Sequence, residues 1–142
     1  MAALFDFEVH TPERLFFSGR VEAVVVTLVD GEAGIYANHS PFTAPSESCI
    51  LRIKDDKGQW RSAFTSSGIL EVKDMSKYKN VLIVDSAEWP HEIDRERVIA
   101  SKKQAEADLE MAVMKFEIDN AKAKLRRAEV RLKACELRET GS

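Results

Sequence analysis

Apolar residues change their spacing along this chain near Trp89-Pro90. Upstream they alternate with polar residues or gather in short runs rich in β-branched types. Phe5, Phe7 and Val9 alternate, residues 21–28 read VEAVVVTL, and later runs occupy 49–53, 60–64, 69–72 and 81–84. Turn chemistry bounds each run: Thr11-Pro12, Ser18-Gly19, Asp30-Gly31, Asp55-Asp56-Lys57-Gly58, Ser67-Gly68 and Lys79-Asn80. Short strands punctuated this often predict an antiparallel sandwich or barrel, with one face of the sheet in a core and the other wet.

Downstream of Pro90 there is no further proline and the one glycine is Gly141, while Ala, Glu, Lys, Leu and Arg dominate. Helix propensity is therefore high throughout. Asp94 is the expected N-cap, although Arg97, three residues on, is not the Glu or Gln of a capping box. Val98, Ala105, Leu109, Ala112 and Phe116 form one apolar stripe. Met114, Ile118, Ala121, Leu125, Ala128, Leu132 and Cys135 form a second, stepping by four and three as an a/d seam does. Alanine at several seam positions lets two helix backbones come close, which favours an antiparallel hairpin over a long dimeric coiled coil. The turn is expected within residues 109–117, where no Gly, Pro or Asn marks it, and the same stretch is compatible with a nearly continuous helix. The expected fold is an N-terminal antiparallel β-sandwich, residues 1–88, followed by a C-terminal two-helix antiparallel hairpin, residues 89–142.

Composition narrows the function classes. A chain of 142 residues with 44% apolar content fits one medium domain, or a small domain with an appendage. A net charge of −3, from 21 basic and 24 acidic residues, excludes a whole-chain basic field for nucleic acid. Cys49 and Cys135 lie far apart with no metal-ligand spacing and read as reduced, inert thiols. The start, MAALFDFEVH, has neither the features of a secretory signal nor the Arg/Ser-rich character of a transit peptide. No apolar run approaches the ~20 residues that span a bilayer, so membrane association is expected only through a partner. His10, His39 and His91 each stand alone, which points to structural or contact roles rather than metal ligation. There is no P-loop and no nucleophile–base pair with a recognisable context, so no catalytic residue, metal or required cofactor is expected.

Charge is unevenly placed in the helical half. Between residues 119 and 139 stand Lys122, Lys124, Arg126, Arg127, Arg131, Lys133 and Arg138, against Asp119, Glu129, Glu136 and Glu139. The first helix is more acidic early, with Asp94, Glu96, Glu106, Asp108 and Glu110. In a folded hairpin opposite signs are expected to meet across the seam edges, each exposed pair contributing ~0–1 kcal/mol. Arg127 and Arg131, four residues apart, share a helix face, and two guanidinium forks on one face make a phosphate clamp.

Several motifs in this order resemble the epsilon subunit family of bacterial F-type ATP synthase. Asp30-Gly31-Glu32-Ala33-Gly34-Ile35 followed by His39-Ser40-Pro41 is similar to that family's GE-x-GI-x-x-x-H-x-P signature. Ser67-Gly68-Ile69-Leu70-Glu71-Val72 resembles its G-x-L-x-V strand. Ala87-Glu88, Glu92-Ile93-Asp94 and Arg97 resemble the segment that leads into its helices. The resemblance runs over about residues 5–137. The physics of the first motif can be stated separately: Gly31 and Gly34 bracket an acid in a tight connection, and glycine turns there with positive φ at little cost.

The resemblance implies a sandwich docked on the rotating central stalk, in contact with the gamma subunit and the membrane-embedded ring of c subunits, at the cytoplasmic side of the bacterial plasma membrane. It implies helices that either fold onto the sandwich or reach along gamma into the alpha/beta catalytic head, the extended form blocking hydrolysis. Partner contacts are then expected at Glu32, His39, Lys122, Lys124, Arg126, Arg127, Arg131 and Lys133, the basic helix meeting an acidic surface of the catalytic head. Several bacterial members bind ATP, as a regulatory ligand, at an I-D-x-x-R-A pattern. Ile93, Asp94 and Arg97 match it, Val98 replaces the alanine, Glu88 stands where the family has a further acidic contact, and Arg127 and Arg131 match the pair on the second helix. A stand-alone ATP-sensing switch is the alternative reading. A β-sandwich hydrolase and a nucleic-acid binder fit less well, the first for want of a nucleophile, the second for want of interleaved aromatics.

Overall fold

The computed structural model describes residues 3–73 and 79–139, the side chains of 138 and 139 excepted; the expected charge contributions of Arg138 and Glu139 lie outside the described residues. Strands come first: β1 (Phe5–His10), β2 (Leu15–Leu28), β3 (Gly31–Tyr36), β4 (Phe42–Ser46), β5 (Cys49–Asp55), β6 (Trp60–Thr65), β7 (Gly68–Val72), β8 (Asn80–Val84) and β9 (Ala87–Glu88). A 3-10 turn, Pro90–Glu92, leads into α1 (Arg95–Met111) and α2 (Lys115–Glu139). The sandwich followed by a helical pair is thus the observed fold.

β2 organises the sheet. Its first half pairs antiparallel with β1, from Phe5↔Val21 to His10↔Leu15, and β1 continues to β8, β7 and β4. Its second half pairs with β3 on one side and β5 on the other, and β5 continues to β6 and β9. The register against β5 shifts between Val21 and Ala23. Such a bulge bends a strand and re-aims its side chains. Buried positions accordingly switch from Val21 and Ala23 to Val24 and Val26, so one strand serves both layers. Phe5, Phe7 and Val9 of β1 and Leu51 and Ile53 of β5 point inward with the period of two that their alternation predicts. The β1–β8 pair, Phe7↔Asn80 to His10↔Ile83, is parallel, whereas the other pairings among the described residues are antiparallel.

Three local readings change. Ser18-Gly19, expected as a turn, lies inside β2; the Phe17 ring covers the missing side chain, its Cζ 3.4 Å from where a Cβ on Gly19 would stand. The segment from Gly31 to Ile35, expected as a connection, is itself strand β3. Gly31 does take positive φ, +131°, but Gly34 sits in the extended strand and leaves room for the Tyr36 ring, 3.3 Å from a Cβ added there.

The helices close a second, smaller core. Phe64 of β6 and Ile93 meet Val98 of α1 and Ala128, Ala134 and Cys135 of α2. Asp94 caps α1, its Oδ1 accepting from the Arg97 backbone N–H at 3.2 Å. The chain breaks between the helices at residues 112–114: Ala112 is extended, and Glu117 accepts from the Met114 N–H at 3.2 Å, capping α2. Ala105, Ala121 and Ala128 are buried as the seam requires, whereas Met114 and Phe116, counted in the stripes, are exposed because they flank the turn. Ala134 is buried off the predicted seam, since the C-terminal half of α2 turns part of its surface to the sandwich.

Candidate functional site

Where the hairpin leaves the sandwich, a cleft of about 500 Å3 opens. One wall is the turn between β1 and β2, with Thr11, Glu13 and Arg14; a second is the β8–β9 edge, with Asp85, Ser86 and Glu88; the helices supply Asp94, Arg97, Val98 and Ser101 from α1 and Arg131 from α2. The local causes are plain. The Thr11 hydroxyl closes the first turn, donating to the Arg14 carbonyl at 3.0 Å and accepting from the Arg14 N–H at 3.1 Å. Trp89 stacks on Phe16, centroids 4.5 Å apart, under the Arg61 guanidinium 4.0 Å away, and so pins the strand leading to the 3-10 turn. Asp94 then starts α1 facing the cleft.

Of the residues expected to bind nucleotide, the fold brings Glu88, Asp94, Arg97, Val98 and Arg131 to this cleft. Arg131 Nε donates to Glu88 Oε1 at 2.6 Å, its Nη2 donates to Ser86 Oγ at 3.3 Å, and its guanidinium lies 4.4 Å from the Phe64 ring. Arg127 stands one turn earlier on α2 and is not among the cleft residues. Ile93 is buried beneath the cleft in the second core, where its role is packing. Val98 belongs to both: it forms part of the cleft wall and packs on that core, so its two extra methyls are accommodated inward.

Sequence reasoning did not reach Arg14, Ser86 or Ser101, and met Glu92 only within the motif that leads into the helices. Arg14 Nη2 donates to Glu92 Oε1 at 2.9 Å and to the Ala87 carbonyl at 3.2 Å. The same Glu92 oxygen accepts from the Trp89 N–H at 2.8 Å. Arg14 holds the Glu92 carboxyl below the ordinary carboxylate range, and Glu92 in turn raises Arg14. Nothing in the local sequence joins Arg14 to a glutamate that follows it by most of the sandwich; only the placement of the β1–β2 turn does.

The residues expected at partner contacts scatter. Glu32, Arg126 and Lys133 line a second groove, of about 700 Å3, between β5, β6 and α2. Arg126 Nε donates to the Ser48 carbonyl at 3.1 Å and lies 3.4 Å from Glu47. Lys122 and Lys124 are exposed on α2. His39 is exposed on the loop after β3, its Nδ1 2.8 Å from the Ser40 carbonyl. The ion pairs of Arg126 and Arg131 run to the sandwich, to Glu47 and Glu88, rather than across the hairpin to the carboxylates of α1. The second core packs α2 on Phe64 of β6, which brings the sandwich carboxylates of Glu47 and Glu88 within reach of these arginines. Among the described residues no cluster of three His, Cys, Asp or Glu side chains is placed to hold a metal ion, and no helix is long and apolar enough to cross a membrane.

Comparison with known proteins gives one consistent result. The family model for the ATP synthase delta/epsilon chain β-sandwich domain matches residues 4–90, and that for its long α-helix domain matches residues 91–136. The ATP synthase epsilon chain of Caldicellulosiruptor saccharolyticus is 44% identical over 139 residues, covering 98% of both chains. That of Caldanaerobacter subterraneus subsp. tengcongensis is 42% identical, covering 94% of both. Among solved structures, a chain of the Euglena gracilis mitochondrial ATP synthase, seen with OSCP, F1 and c-ring, aligns with TM-score 0.69 at 19% identity, over 99% of this chain and 82% of that one. A chain of the Tetrahymena thermophila mitochondrial ATP synthase central stalk and c-ring aligns with TM-score 0.63 at 16% identity, over 94% of this chain and 98% of that one. At these identities the likeness to solved structures is one of fold.

Proposed function

This chain belongs to the ATP synthase epsilon chain family, the central-stalk subunit of F-type ATP synthase, and from that premise we propose that it couples rotation to ATP synthesis and restrains ATP hydrolysis through its C-terminal helices. In this reading it carries no catalytic residue of its own. The sandwich docks on the gamma subunit and the c-ring, at the cytoplasmic side of the membrane and peripheral to it. Residues 89 onward form the regulatory unit, which reaches the alpha/beta head when it leaves the sandwich.

The observation that carries this reading is how the hairpin is held. It rests on the sandwich through one small core, to which α2 contributes the short buried side chains of Ala128, Ala134 and Cys135, and through the ion pairs of Arg126 and Arg131. Small buried side chains contribute little area, and partly exposed ion pairs contribute ~0–1 kcal/mol each. Such a contact suits a unit that docks and undocks. Docking of the sandwich itself is supported by the exposed cross-strand pair Ile69–Ile83, each 48% accessible, on the β7–β8 face.

ATP is proposed as the regulatory ligand at the cleft. Arg97 and Arg131 would take the phosphates, with Arg127 following if α2 turns slightly, and Asp94 and Glu88 would orient the ligand. Nucleotide bound there would hold α1 and α2 on the sandwich and so relieve inhibition.

The test is reconstitution of an ATP synthase depleted of this subunit with the full chain or with a chain ending after Glu92. Both are expected to join the complex, and only the full chain is expected to lower ATP hydrolysis. Equal inhibition by the shortened chain would remove the helices from the mechanism. Calorimetric titration of the full chain with MgATP, with ADP as control, tests the ligand: saturable binding that favours ATP supports it, and no uptake at millimolar ATP leaves regulation to partner contacts.

A further inference from the structure

Each described arginine pair in the cleft is neutralised from within. Arg131 is held by Glu88 and Arg14 by Glu92. The two pairs differ in origin. Arg131 sits on α2, whereas Arg14 belongs to the sandwich, its backbone locked by the Thr11 turn. Both hydrogen bonds given by the Arg14 guanidinium leave from Nη2, and such a group carries five N–H donors. Glu92 has a second anchor, the Trp89 N–H, so its carboxylate keeps a hydrogen bond if the arginine turns away. The pair is also partly open to solvent, with side chains 45% and 28% accessible, so a ligand entering the cleft reaches it.

We propose that Arg14 is a phosphate-binding residue of this cleft, kept in place by Glu92, and that the polyphosphate chain of a nucleoside triphosphate replaces the Glu92 carboxylate on its guanidinium. This rests on the nucleotide reading given above. A polyphosphate offers more oxygens and more charge than one carboxylate, and arginine engages it through paired, charge-assisted hydrogen bonds. The exchange leaves Glu92 on the Trp89 N–H and strands no buried charge. With Arg14 on the sandwich, Arg97 on α1 and Arg131 on α2, the phosphates become a tie between three segments of the chain. The ligand then holds the hairpin down from the sandwich side as well as from its own.

Calorimetric titration of the full chain with MgATP tests this, with wild type, Arg14→Ala, Arg14→Lys and Glu92→Gln in parallel and thermal melts of each without ligand. If Arg14 only positions the chain, breaking the pair from either end weakens ATP binding alike. If it meets the phosphates, the two ends act oppositely: Arg14→Ala weakens ATP binding about tenfold, and Glu92→Gln, which removes the competing charge while its amide oxygen keeps the Trp89 N–H, tightens it about threefold. Arg14→Lys falls between wild type and alanine, because it keeps the charge without the fork. Unchanged ATP binding in Arg14→Ala, or equal weakening by Arg14→Ala and Glu92→Gln, overturns the proposal. If Arg14→Ala does not fold, Glu92→Gln decides: tighter binding supports the exchange, and unchanged or weaker binding overturns it. Failure of the wild type to take up ATP is a different result, one that removes the nucleotide reading itself and this inference with it.

Discussion

Arg131 and Glu88 meet at 2.6 Å across the joint between α2 and the last strand of the sandwich, with the guanidinium seated on the Phe64 ring. The contact ties the helical hairpin to the sandwich at the point where the chain passes from one to the other. Both side chains are about three-quarters covered, at 25% and 28% accessible, so solvent screens the pair less than a surface bridge. A double-mutant cycle of Arg131→Ala and Glu88→Ala, read by urea unfolding of the full chain, is expected to give a coupling of about 1 kcal/mol, the upper end for a partly exposed pair. A coupling near zero would mean that packing on Phe64, not the ion pair, holds α2.

Gly68 is expected to tolerate no side chain. A Cβ built there collides with the Ile83 carbonyl and crowds the Val84 side chain, both on the neighbouring β8. Backbone cannot yield as a flexible side-chain end does, so Gly68→Ala should cost about 2 kcal/mol or more. Thermal unfolding of Gly68→Ala beside Gly19→Ala makes the comparison, since the added Cβ at Gly19 meets only the edge of the Phe17 ring.

The hairpin seam predicts a failure confined to the helices. Ala121 is buried where α1 and α2 approach, and Ala128 where α2 also meets Phe64. Ala121→Leu should push the helices apart and cost roughly 1–3 kcal/mol of hairpin stability while the sandwich core stays intact. Hydrogen exchange resolved along the chain should show faster exchange in α1 and α2 and unchanged protection in β1, β2 and β5. Equal loss of protection in both parts would show that they unfold as one cooperative unit.

Acid should weaken the folded state through Glu8. His10 Nε2 at 2.9 Å is the main cause, with Lys79 and Ser18 at 3.1 Å, and together they hold the Glu8 carboxyl at about 2 against an ordinary 4.5. A carboxylate depressed in the folded state stabilises the protein fully above its unfolded value and loses that stabilisation as protons bind. The Glu8 contribution is therefore complete above about pH 4.5 and disappears as pH falls towards 2. The exposed ends of His10 and Lys79 reduce it to about 1–2 kcal/mol. Glu8→Gln should match the wild type in stability at pH 2 and fall below it at pH 6, and a constant difference across that range would locate the cluster's contribution elsewhere.

What could be read from the chain itself follows the range of each interaction. β1, β5 to β8 and both helices announce themselves, because alternation and the four-and-three spacing are local properties of neighbouring residues. The Asp94 cap is equally local. β3 was hidden because glycine and a polar start disguise its alternation, and β2 was cut short because Ser18-Gly19 looks like a turn until the Phe17 ring is seen over it. In the cleft, Glu88, Asp94, Arg97 and Arg131 could be named through family resemblance. Arg14 could not, since what makes it part of the cleft is the placement of the β1–β2 turn, a long-range fact with no local signature. For the same reason, charge on α2 suggested pairing with α1, whereas Arg126 and Arg131 reach Glu47 and Glu88.

The parallel join between β1 and β8 sets the order in which this protein can be assembled as it is made. Residues 5–10 emerge first and can pair with β2 at once, yet their other edge stays open until residues 80–83 have followed. Pairings so distant in sequence are slow to form, because a long loop must close before any contact rewards it. A nascent chain that stops short of β8 therefore carries an unfilled strand edge, the kind of edge on which chains aggregate. Once Glu88 has left the ribosome the sheet can close. The hairpin is synthesised last, onto a sandwich already able to receive it, so a stall within α1 or α2 should yield a sound sandwich, while a stall before residue 80 yields material for the chaperones.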